Sequence, residues 1–117
     1  MKMIIAVIRP EKLDEVIAAL NERDIYLMTV SEVRGCGRQR GHLEVFRGTE
    51  HQTRLLTKLK LEIAVNDNFV DGTMEAIVTA ARAGATGQIG DGKIFVLSLE
   101  DCVRIRTGEQ GTHAVGP

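Results

Sequence analysis

Two short apolar runs rich in β-branched residues, Ile4-Ile5-Ala6-Val7-Ile8 and Leu61-Glu62-Ile63-Ala64-Val65, are each followed by a turn and a helical pattern, which predicts an α+β fold. A further strand after each helix makes the order β-α-β-β-α-β. That is the ferredoxin-like sandwich of a four-stranded sheet and two helices. Residues 1–117 are expected to form a single domain, since a chain of this length builds one core.

Leu13, Val16, Ile17 and Leu20 recur at helical spacing. Pro10 suits the first helical position, and Glu11 and Asp14 complement the positive end of the helix dipole. A strand over about residues 27–34 comes next. Val70, Met74, Ile77 and Ala81 repeat the helical spacing, with Asn66, Asp67 and Asn68 as caps and Gly84 as the stop. Gly72 weakens the first turns of this helix. Residues 93–99 read as the last strand, and residues 111–117 carry no packing signal and read as a loose end. Between the second and third strands, residues of about 36–57 hold Arg38, Arg40, Glu44, Arg47, Glu50 and Arg54 with no clean period. A loop this long inside a compact domain is usually functional, and one that orders around a ligand is a natural reporter.

Two helices cover one face of a four-stranded sheet. Yet the first run and Ile94-Phe95-Val96-Leu97 are apolar on both faces. Self-association is the economical cover for the second face, and loops are the alternative.

Composition removes several classes. A net charge of −1 gives no global field for nucleic acid or an acidic membrane. Three phenylalanines, one tyrosine and no tryptophan argue against base-stacking platforms. No apolar run reaches membrane-spanning length, and the start of the chain is too short for a signal peptide. Cys36 and Cys102 have no metal-type spacing and are too few to staple a fold, so a reduced, cytoplasmic protein is expected. Cys102 reads as a small core hydrophobe.

Chemistry concentrates in two glycine-rich segments. Gly35-Cys36-Gly37-Arg38-Gln39-Arg40-Gly41 is one, and Gly90-Asp91-Gly92-Lys93, with Arg104-Ile105-Arg106-Thr107-Gly108 beyond it, is the other. Glycines let backbone N–H groups turn toward an anion, and lysine and arginine supply the charge a polyphosphate requires. Together they point to nucleotide binding. A P-loop reading of residues 87–94 fails at Ile94, which has no hydroxyl for Mg²⁺, and at the strand-like Phe95-Val96-Leu97 where a helix should open.

The chain resembles the PII signalling proteins, trimeric sensors of nitrogen and carbon. The resemblance runs along nearly the whole length. It is carried by Met28-Thr29-Val30, residues 35–42, Phe46-Arg47-Gly48, residues 89–96, and the run from Val103 through Glu109. It implies a homotrimer with ATP or ADP in the clefts between subunits. It assigns Gly90, Asp91, Gly92 and Lys93 of a phosphate loop (about residues 83–93) to the phosphates, with Arg104 and Arg106 reaching in from a neighbour's C-terminal segment (about 100–117). Gly35, Cys36, Gly37 and Arg38 join them from the base of the long loop, and Thr29, Glu62 and Ala64 surround the adenine. Gln39 would ligate Mg²⁺ together with ATP and 2-oxoglutarate. Arg40, Gly41 and Gly90 would line the effector, and Lys58 would pair with its distal carboxylate. A hard cation takes oxygen ligands and a carboxylate takes a cation, so the assignments are chemically coherent.

Several positions depart from the family pattern. His51 stands at the loop tip where uridylylated members carry a tyrosine, and Phe46 at the second common tyrosine position. The only tyrosine, Tyr26, lies outside the loop, which excludes nucleotidylation of a loop tyrosine. Thr49 stands where some relatives carry a phosphorylatable serine. Cys36 replaces an aromatic beside the effector, and residues 83–88 are longer by three than the usual connection.

The resulting expectation is a non-enzymatic regulator of nitrogen and carbon metabolism. Its long loop, through Arg47, Thr49 and His51, would fit a target such as an Amt-type ammonium transporter or a metabolic enzyme. No nucleic acid and no direct membrane insertion are expected. Two alternatives remain: a regulator of another membrane transporter, such as a metal efflux system, sensing nucleotide alone, and a trimeric metal-binding protein using Cys36, His42 and His51.

Overall fold

Alternation within the first apolar run decides how the sheet is built. Ile4, Ala6 and Ile8 point to one face and are buried, while Met3, Ile5 and Val7 occupy the other and are half-buried. They belong to β1 (Lys2–Ile8) of the computed structural model, which describes residues 1–36, 45–46, 49–50 and 55–116. A single 3-10 turn, Pro10–Lys12, leads into α1 (Leu13–Asn21), whose Val16 and Leu20 are buried. Proline fixes the entry angle where its missing N–H costs nothing.

β2 (Thr29–Gly35) is followed by a two-residue ladder of β3 (Val45–Phe46) and β4 (Thr49–Glu50), then by β5 (Leu56–Val65). A 3-10 turn, Asp67–Phe69, opens α2 (Val70–Ala81), and β6 (Gly92–Ser98) closes the sheet. The sheet order is β2-β5-β1-β6, with every pairing antiparallel. This is the ferredoxin-like α+β arrangement that the sequence predicts. Ile4, Ala6, Ile8, Leu61, Ile63 and Val65 form the floor of the core, and Val16, Leu20, Ala76 and Ile77 of the two helices its roof.

The register places opposite residues on a common face. Met3, Ile5 and Val7 stand beside Ala64, Glu62 and Lys60 on one side and Leu97, Phe95 and Lys93 on the other. Thr29 opposes Glu62, Ser31 opposes Lys60 and Val33 opposes Lys58. The sheet face away from the helices therefore carries an apolar strip of Met3, Ile5, Val7, Phe95 and Leu97, bordered by Glu62, Lys60 and Lys93. Phe95 and Leu97 on it remain 50% and 47% exposed.

Four local expectations are corrected. Asn66 precedes the helical turn, but its side chain caps nothing there. Its Nδ2 instead donates to the carbonyls of Thr112 (3.2 Å) and Gly116 (2.8 Å). The C-terminal stretch is accordingly not loose: α3 (Thr112–Val115) forms, and Val115 is buried. α2 ends before Gly84, because Arg82 already leaves the helical region with ψ 133°. Cys102 is half-buried rather than a core residue.

Candidate functional site

The connection from α2 to β6 is built around one carboxylate. Asp91 Oδ2 accepts from the backbone amides of Gln88 (2.8 Å) and Ala83 (3.1 Å), and Oδ1 accepts from Arg9 Nε (3.1 Å). Arg9 also donates through Nη2 to the Ile89 carbonyl at 2.9 Å. Lys58, from β5, donates to the Gly90 carbonyl at 2.8 Å. Gly92 has φ 110°, and a Cβ there would lie 1.7 Å from the Val7 carbonyl oxygen, so only glycine lets the loop turn into β6 against β1.

Charge follows this geometry. Burial pushes the Asp91 carboxyl up, but the amides of Gln88 and Ala83 and the Arg9 guanidinium outweigh it and hold its pKa below the ordinary value. Burial, with Arg9 adding to it, pulls the Lys58 ammonium down against the opposing pull of Glu11 and Asp91. The loop therefore turns its own acid inward, and Lys93, the first interior residue of β6, stands on the open sheet face opposite Val7.

A second feature lies at the other end of β1. Met3, Leu27, Met28, Thr29, Glu62, Ala64 and Val115 line a cavity of about 420 Å³. Five of these seven residues are apolar, and Thr29 and Glu62 add a hydroxyl and a carboxylate from neighbouring strands. Glu62 is approached by Lys60 Nζ at 3.8 Å. The donor set suits a flat heteroaromatic ring with polar edges. Met3 and Val7 are four residues apart on one strand, so this cavity and the α2–β6 loop are separated by roughly 13 Å of β-strand.

The C-terminal segment folds back on itself. Arg104 Nη1 lies 3.2 Å from Glu109 Oε1, and its Nη2 donates to the His113 carbonyl at 3.1 Å. Arg106 is exposed, and Ile105 beside it is 99% exposed. No polar contact joins either arginine to residues 90–93 of the same chain among the described residues.

Of the residues singled out from sequence, Thr29, Glu62 and Ala64 surround one cavity, and Lys58, Gly90, Asp91 and Gly92 meet at the α2–β6 loop with Lys93 just beyond. Gly35 ends β2 opposite Leu56, and Cys36 follows it, exposed. Gly37, Arg38, Gln39, Arg40, Gly41, Arg47 and His51 lie outside the described residues, as does His42, and of Thr49 only the backbone of β4 is described. Sequence reasoning missed Arg9, the partner of Asp91, and Leu27 and Val115, which wall the cavity. Among the described residues no cluster of His, Cys, Asp or Glu is arranged to hold a metal ion, and no helix is long and apolar enough to cross a membrane.

A family model described as "Nitrogen regulatory protein P-II" matches residues 1–109. A Nitrogen regulatory protein P-II of Rhizobium etli is 54% identical over 115 residues, 98% of this chain and 100% of that protein. One of Nostoc punctiforme is 56% identical with the same coverage. Nitrogen regulatory protein GlnK1 of Methanosarcina mazei is 50% identical over 98% of this chain and 97% of its own length.

Proposed function

Because the chain belongs to the P-II family of nitrogen regulatory proteins, we propose that it is a trimeric signal transducer that binds ATP or ADP in clefts shared by two subunits and reports the bound state to a target protein. One observation carries this reading. The ring-sized cavity at Thr29, Glu62 and Ala64 and the phosphate-type loop at residues 90–93 stand at opposite ends of β1 in the same chain. A single nucleotide engages both kinds of surface most directly when one copy supplies the cavity and another the loop. The open face of the sheet, apolar at its centre, is the surface on which copies would meet.

Each residue then has a part. Thr29 and Glu62 read the edge of the adenine while Ala64 leaves room for its plane. Lys93, with the loop backbone, takes the phosphates as a point charge. Arg104 and Arg106 approach from the neighbour, for which Arg104 must leave Glu109. Gln39 would hold Mg²⁺ through its amide oxygen, and the ion would supply charge neutralisation for the phosphates and the effector. Lys58 would take the distal carboxylate of 2-oxoglutarate. The long loop, with Arg47, Thr49 and His51, would then carry the ligand state to an Amt-type transporter or another target by a shift between loop conformations. The protein acts as a regulator, and no step of this scheme requires turnover.

Titration calorimetry tests the reading. ATP and ADP should bind and GTP should bind far more weakly. Lys93→Ala and Arg106→Ala should each cost about 1.5 kcal/mol or more, the loss of a charge-assisted phosphate contact. 2-Oxoglutarate should bind with Mg²⁺ and ATP together and not with ADP. Wild-type affinity for ATP in both variants would remove the site.

A further inference from the structure

We propose that Asp91 is the positioning residue of the phosphate loop: its carboxylate closes the loop from inside and docks it on the sheet through Arg9, without touching the nucleotide. This rests on the nucleotide reading above and changes the part assigned to Asp91 within it. A free carboxylate beside a polyphosphate would repel it. Here the carboxylate is spent three ways, on the amides of Gln88 and Ala83 and on Arg9 Nε.

The placement of these donors matters more than their number. Ala83 lies eight residues before Asp91 and Gln88 three residues before it. A single oxygen, Oδ2, therefore gathers the entry of the loop and its far side, and the turn at residues 84–87 is enclosed between them. Gly87 packs against the same group: a Cβ there would stand 3.1 Å from Asp91 Oδ2 and 3.2 Å from Arg82 Cγ. The longer connection before the phosphate loop is thus folded around the carboxylate and does not hang free.

Arg9 gives the loop its fixed reference. It follows β1 directly, so its position is set by a strand paired on both sides. Its side chain and that of Asp91 are only 18% and 20% exposed, which limits screening of the pair by water. Through Nη2 it also holds the Ile89 carbonyl, and Lys58 holds the Gly90 carbonyl from β5. With those carbonyls drawn toward the sheet, the loop backbone is pre-shaped before any ligand arrives, and pre-shaping is what keeps the ordering cost out of phosphate binding.

The test compares ATP with adenosine, which shares the ring but has no phosphate, in the full-length protein. Asp91→Asn keeps size and one acceptor and loses the charge that holds Arg9. It should weaken ATP about tenfold and leave adenosine affinity unchanged. Arg9→Gln should do the same, and the double variant should be little worse than either single one. Amide hydrogen exchange at Ala83 and Gln88 should quicken in Asp91→Asn. Wild-type ATP affinity in Asp91→Asn, equal losses for ATP and adenosine, or fully additive losses would overturn the proposal. Should the wild-type protein bind no adenine nucleotide, the nucleotide reading fails by itself. The exchange rates then decide on Asp91: faster exchange at both amides supports its hold on the loop, and unchanged exchange overturns it.

Discussion

Lys58 Nζ donates to the carbonyl oxygen of Gly90 at 2.8 Å, so the cation proposed for the effector is already bonded to the loop proposed for phosphate. A carboxylate arriving at Lys58 has to share or displace that bond. The ammonium is also the less well solvated for its burial, with Arg9 nearby adding repulsion. An anion at this position relieves both effects. Effector and nucleotide would then be coupled through one hydrogen bond and not only through a shared metal.

Lys58→Ala should accordingly do two things. It should abolish 2-oxoglutarate binding, and it should weaken ATP by roughly fivefold, the size of one lost hydrogen bond of about 1 kcal/mol. Calorimetry of the variant with ATP alone reads the second effect directly. Unchanged ATP affinity would mean that the bond to Gly90 contributes nothing to the loop's shape.

Gly92→Ala should be among the most damaging single substitutions in the sheet. Its Cβ would fall 1.7 Å from the Val7 carbonyl oxygen, at a φ of 110° that side chains avoid. Backbone must move at the point where β6 joins β1, and a loss of about 2 kcal/mol or more is expected. Gly108→Ala is the control. Its φ is 74°, but nothing lies within 4 Å of the added atom, so only the conformational cost of about 1 kcal/mol applies. Urea unfolding of the two variants should separate them clearly.

What the sequence conveys and what it hides follow from the range of the interactions. The two periodicities are local, and they locate the two longer helices, α1 and α2, and the four longer strands, β1, β2, β5 and β6. β5 begins earlier than its apolar run because Lys58 and Lys60 face the open side and interrupt the hydrophobic signal. Asn66 looks like a cap because capping is read from neighbours in sequence, whereas its actual partners, Thr112 and Gly116, are some fifty residues away. Val115 stands with Ala114 among glycine, threonine, histidine and proline, too little to signal packing. Arg9 could be found only by knowing that Ile8 pairs with Gly92, a tertiary register that no short motif encodes. The glycines and basic residues of the site were legible as types. The inward turn of Asp91 was not, since it depends on folded donors from Ala83, Gln88 and Arg9.

Acid should loosen the α2–β6 loop. The Asp91 pKa is held below its ordinary 3.8 by Gln88, Ala83 and Arg9, against the opposing effect of burial. Its contribution is therefore complete above the unfolded value and is lost as pH falls through the lower, folded one. In that interval the unfolded chain binds more protons, so stability rises with pH. Below pH 3.8 the wild-type protein should lose stability more steeply than Asp91→Asn, and the two curves should converge as acid increases. Denaturant titrations at neutral pH and at about pH 3 would show whether the gap closes.

Phe95 and Leu97 stand on the open face of the sheet beside Ile5 and Met3, and they remain about half exposed in a single chain. β1, at the centre of the sheet, presents apolar side chains to both faces, which is unusual where one face is left to water. In the proposed nucleotide cleft, moreover, one chain supplies the cavity and another the phosphate loop. Light scattering should therefore give three times the chain mass of 12.8 kDa. Phe95→Asp should place a charge at the centre of the contact, where desolvating it without a partner is costly. The variant should dissociate while circular dichroism keeps its helix and sheet content, because Phe95 faces away from the buried core. ATP binding should disappear with the trimer. A dissociated, folded variant that still binds ATP with wild-type affinity would show that one chain holds the whole site and would refute the shared cleft.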